Sequence, residues 1–93
     1  MTIGLLTVQL FISGAQSLKH KRRVIKSLKD KLRNNFNVSI AELDELDKWQ
    51  KAVLGVVTIG SETGYVNGVL DQTVNFMRRN DDIDVSDYEI YML

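Results

Sequence analysis

Two runs whose apolar residues recur at helical spacing are set among four whose apolar residues fall at every second position, and this order constrains the fold more than any other feature. In residues 2–12, Leu6, Val8, Leu10 and Ile12 share one face while Thr7, Gln9 and Phe11 share the other, the period of a half-buried strand. The turn SGAQS follows, with Gly14 free to take an unusual backbone angle and Ser17 able to accept a hydrogen bond from an early helix N–H. A helix is predicted from Leu18 to about residue 34, with Leu18, Val24, Ile25, Leu28 and Leu32 on one side and Asn34-Asn35 as a left-handed stop.

The next segments continue the pattern. NVSIAEL (37–43) reads as a strand, DELD as an acidic turn, and WQKAVLGVVTI (49–59) as a longer strand that closes a hairpin. Gly60 permits a turn and Ser61 caps a second helix, in which Val66, Val69, Leu70, Thr73, Val74 and Met77 recur at helical spacing before an end near Arg79. After NDDID, Tyr88, Ile90 and Met92 alternate with Asp87, Glu89 and Tyr91 in a last strand. The order β-α-β-β-α-β predicts an α+β fold, the ferredoxin-like sandwich of a four-stranded antiparallel sheet with two helices on one face. A chain of 93 residues has room for one such domain, spanning 1–93.

Composition excludes several classes. With 44% apolar and 26% charged residues the chain reads as a soluble globular protein, and no segment approaches the roughly 20 apolar residues that span a bilayer. Alternation in MTIGLLTVQLFI, with no leading basic group, reads as a strand and not as a signal peptide, so a cytoplasmic location and no membrane partner are expected. The absence of cysteine removes disulfides and thiolate chemistry, and a single histidine, His20, has no second imidazole or serine-acid partner. Glu42, Asp44, Glu45 and Asp47 fit no calcium-loop spacing and read as a solvated turn. No metal, no cofactor and no catalytic residues are expected. Trp49, beside that turn, is expected to pack under the hairpin.

Charge is the informative feature. Net charge is zero, but residues 1–37 carry eight basic groups against Asp30 alone, while residues 38–93 carry four basic and eleven acidic groups, or +7 against −7. On the first helix Arg22, Lys26, Lys29 and Arg33 follow at +4, +3 and +4, a ridge roughly 16 Å long flanked by Lys19 and Arg23. Such a ridge is either a dock for a polyanion or a solvated face whose stems cover the apolar edge. Lys21 projects to the apolar side, among Leu18, Ile25 and Leu28, and needs a carboxylate or a carbonyl there; a structural ion pair is the favoured reading. Strands 1 and 3 are expected to be parallel neighbours in this fold, which puts SGAQS and GSETG at one end with two helix N-termini and offers a small-anion site near Lys19 and His20.

Strand 3 is apolar on both faces, so Val53, Val57 and Ile59, with Phe11 and Tyr91 beside them, predict a sheet face that meets a partner such as a second copy. The stacking rings of an RNA-recognition motif are missing from KAVLGVVTI, so any RNA contact is expected through phosphates on helix 1.

The segments SLKHKRR (Ser17 to Arg23), FNVSIAE (Phe36 to Glu42) and WQKAVLGV (Trp49 to Val56) resemble the YlxP-like family of small bacterial proteins, and the similarity covers nearly the whole chain. That resemblance implies a ferredoxin-like fold and a gene neighbourhood with translation-initiation and ribosome-binding factors; it implies no settled activity and no site residues. The sequence-based expectation is a non-enzymatic accessory protein that binds structured RNA or a ribosomal subunit through Lys19, Arg22, Arg23, Lys26, Lys29 and Arg33. The alternative is an interaction module without RNA that self-associates as a homodimer.

Overall fold

A computed structural model describes residues 1–93 as β1 (Thr2–Phe11), α1 (Leu18–Asn35), β2 (Ser39–Asp44), β3 (Lys51–Gly60), α2 (Thr63–Arg78) and β4 (Asp84–Met92). The strands form one antiparallel sheet in the order β2-β3-β1-β4, the α+β ferredoxin-like arrangement. No helix is long and apolar enough to cross a membrane.

One face of the sheet makes the core. Leu6, Val8 and Leu10 of β1 stand opposite Val56, Leu54 and Ala52 of β3, and all six are buried together with Ile25, Leu28 and Leu32 of α1 and Leu70, Val74 and Met77 of α2. Gly4 seats α2 on the sheet: a Cβ there would lie 2.6 Å from Val66 Cγ1 and 2.9 Å from Leu70 Cδ1. Just past the end of α1, Phe36 packs edge to face on Phe76 of α2, 5.9 Å between centroids.

Several local expectations are corrected. β1 and β3 are antiparallel, with Thr2 opposite Gly60 and Phe11 opposite Lys51. The SGAQS and GSETG turns therefore lie at opposite ends of the sheet and form no shared anion site. Ser17 caps α1 as expected, accepting from the His20 backbone N–H at 3.0 Å, but the α2 cap is Glu62, without a side-chain bond, and not Ser61. Close seating of α2 explains this: a Cβ on Gly60 would meet Tyr65 Cδ2 at 2.9 Å and Val66 Cγ2 at 3.0 Å. Gly60 thus permits contact more than it permits a turn, and no glycine, Gly14 included, has positive φ. Asn34-Asn35 is not a left-handed stop either; α1 ends because Phe36 turns extended and carries its ring against Phe76.

Lys21 joins α1 to the β2–β3 hairpin. Its side chain is 1% exposed, donates to the Glu45 carbonyl oxygen at 2.6 Å, and places Nζ 2.9 Å from Glu42 Oε2. That carboxylate oxygen is buried and receives no aligned hydrogen bond, so its attraction to Nζ is ionic. Glu45 holds the one positive φ of a non-glycine residue, 61°, which points its carbonyl at the ammonium. A buried pair of this kind is costly to form and more costly to break on one side. Lys21→Met should lower the urea-unfolding free energy by about 2–4 kcal/mol, and adding Glu42→Leu should recover most of that loss; equal stability of wild type and Lys21→Met would show that the tie contributes nothing.

Candidate nucleic-acid interface

With Lys21, Ile25, Leu28 and Leu32 buried, the 100° step per residue rotates Arg22, Lys26, Lys29 and Arg33 onto one flank of α1. That flank borders the outer strand β2. The four cations, with Ile25, Asp30 and Glu42, line an open depression of ≈ 400 Å³. The structure therefore brings together the ridge that the spacing predicts. Lys19 and Arg23 are exposed on the adjoining solvent side.

Two carboxylates enter this surface, and they behave differently. Glu42 is held by Lys21. Asp30 accepts from Lys26 Nζ at 2.8 Å and lies 3.8 Å from Arg33 Nη1, more neutralisation than the sequence pattern alone conveys. The Lys26 hydrogen bond, chiefly, holds the Asp30 carboxyl below the usual 3.8, with the charges of Lys26, Arg33 and Lys29 acting in the same direction. Arg22 and Lys29, like Lys19 and Arg23, make no ion pair.

A second basic group escapes a reading of local spacing. Lys31, on the other flank of α1, shares a depression of ≈ 530 Å³ with Phe76, Arg79, Asn80, Asp81 and Asp82. Arg79 lies over Phe76 and Arg78 over Tyr88, 5.9 and 5.3 Å from the ring centroids. Only the packing of α2 beside α1 unites these residues, and Asp81 and Asp82 offset their charge.

Phe11, Val53, Val57, Ile59 and Tyr91 all face away from the helices, as expected. Phe11 lies opposite Lys51 and Tyr91 opposite Leu5, so the two rings stand roughly 20 Å apart along β1 and form no joint stacking surface. Trp49 contradicts its expected packing: it is 53% exposed, because the chain has left the sheet at the bend before β3. The acidic turn is spent locally, Glu45 lying 3.3 Å from Lys48 and Asp44 Oδ1 accepting from the Glu45 N–H.

The family described as "Protein of unknown function (DUF503)" matches residues 3–90, a span that includes the ridge, the Lys21 tie and both sheet faces. The chain belongs to this family. The chain is also similar to the "Uncharacterized protein YlxP" of Bacillus subtilis (strain 168), 33% identical over 75 residues that cover 81% of this chain and 82% of the relative. Membership brings no assigned activity, so the family's functional surface has to be argued from geometry and charge.

The Asp30 arrangement is testable by titration. A carboxyl whose folded-state pKa lies below its unfolded value adds stability that is present above the unfolded value and lost as pH falls through the folded one. An NMR titration should give Asp30 a midpoint below 3.8 that rises toward it in Lys26→Ala; an unchanged midpoint in that variant would remove the Lys26 bond as its cause.

Proposed function

We propose that the chain is a non-catalytic accessory protein that binds the phosphates of structured RNA through the outer flank of α1, with ribosomal RNA the first candidate, in ribosome maturation or translation. The observation that carries this reading is the ridge itself: Arg22, Lys26, Lys29 and Arg33 gathered around one depression, with Asp30 the sole acid among them free of a buried commitment. Like charges at i,i+3 and i,i+4 spacing disfavour a helix by a few tenths of a kcal/mol per pair. A phosphodiester backbone relieves that repulsion and releases its own counterions.

Contacts of this kind position a protein on RNA and carry little sequence information. The separation of Phe11 from Tyr91 on the open sheet face supports the same division, since base stacking needs neighbouring rings. The gene neighbourhood implied by the family resemblance points toward translation. In the bound state phosphates replace Asp30 as partners of Lys26 and Arg33, so Asp30 acts as a competitor that tempers affinity.

Binding to structured RNA or intact ribosomal subunits should fall with salt on a log-log slope of about −3 to −4 for duplex-like contacts. Arg22→Glu combined with Lys29→Glu should abolish it while leaving the thermal melt intact, since neither side chain is in the core. Asp30→Asn should tighten it by about three- to tenfold at low salt. Filter binding and gradient co-sedimentation read all three outcomes, and failure of the wild type to bind either target at low salt would remove the proposal.

A further inference from the structure

The sheet face turned away from the helices has no role in RNA binding through α1, yet it leaves Val57, Ile59 and Tyr91 exposed to water. The register aligns Ile3 with Ile59 and Leu5 with Val57 on the two central strands, and Leu5 with Tyr91 on β4. Ile59 is 51% and Tyr91 44% exposed. Leu43, projecting from the irregularity in β2, lies across Gly55, where a Cβ would approach its Cδ1 to 2.8 Å; it fills the gap left by the glycine and extends the apolar surface toward β2. The Tyr91 hydroxyl already donates to Glu89, so covering its ring strands no polar group.

Charge is distributed as a self-contact requires. On the central strands this face presents one ionised side chain, Lys51, at its far end, with the neutral polar Thr7 and Gln9 between Leu5 and Phe11, while the acids Asp44, Asp84, Asp87 and Glu89 belong to β2 and β4, the two edge strands. An apolar centre with a charged, solvated rim is the anatomy of a specific interface. Four strands of up to ten residues measure about 33 by 19 Å, or ~600 Å² in projection. With side-chain relief this comes close to the ~800 Å² per partner of a stable complex. A flat pleated face packs on another at about 10 Å. The central strands also lack the charge that a nucleic acid or a strongly charged protein would demand.

We infer that a second copy of this chain covers the open sheet face, through an isologous contact centred on Leu5, Val57 and Ile59. The helices then lie on the two outer surfaces of the pair, and each copy presents its basic ridge outward. The inference is independent of RNA binding, and its test contains no RNA.

Sedimentation velocity at about 50 μM should show a dimer that persists from about 0.1 to 1 M NaCl, because the contact is apolar. Val57→Lys should sediment as a monomer with its melting transition retained. Should that variant not fold, Ile59→Lys, at a more exposed position, serves the same purpose. A nitroxide on Ser27→Cys, on the exposed side of α1, reports the geometry: two sheets and two helix layers put paired labels roughly 40 Å apart or more. A monomeric wild type, a dimer that dissociates in high salt or survives both lysine variants, or labels within about 25 Å would each overturn the inference, the salt-sensitive case pointing to a ridge-to-acidic-turn contact instead.

Discussion

The position of the basic ridge depends on the burial of one ammonium group. Lys21 could leave the core only by rotating α1, and that rotation would carry Arg22, Lys26, Lys29 and Arg33 away from the flank beside β2. Its bonds to the Glu45 carbonyl and Glu42 carboxylate hold the helix about its own axis while Ile25, Leu28 and Leu32 hold it down. Apolar burial alone tolerates a few degrees of roll, because it is non-directional. The hydrogen bond to the Glu45 carbonyl is directional and removes that freedom, and the ionic attraction of Glu42 adds to its hold.

How much of this was legible in the sequence varied with the range of the interaction. Strand and helix order followed from apolar periods of two and 3.6, which depend only on which face meets the core. The Lys21 tie was legible for the same reason: a cation on an apolar stripe has to find a partner, although nothing local identified Glu42 or Glu45 as that partner. Sequence alone misread what depends on non-local approach. Ser61 has the chemistry of a cap, but with Val66 and Tyr65 seated on Gly60 the helix starts at Thr63 and Glu62 holds the cap position. The relative direction of β1 and β3 is a property of topology, and assuming them parallel invented an anion site that the antiparallel register dissolves. Trp49 has the bulk of a core residue, yet the bend ahead of β3 leaves it exposed.

For the candidate sites, the ridge was legible because it lies within one helix, whereas Lys31 with Arg79 was not, since those residues meet only through helix packing. The partial neutralisation by Asp30 was underestimated for a related reason. Spacing shows that Lys26 and Arg33 both lie within reach of Asp30, but only side-chain positions show that one carboxylate serves the two together.

The antiparallel relation of β1 and β3 has an electrical consequence. Each helix returns along the sheet against the strand before it, so α1 and α2 run in opposite senses and their backbone dipoles largely cancel. The field of the molecule then comes from its side chains alone, positive along α1 and negative along the hairpin turn and β4. Such a field is exposed to solvent over most of its extent and fades beyond about 8–10 Å at physiological ionic strength. The chain can therefore orient a charged partner only at close range, after diffusion has already brought the two surfaces nearly together.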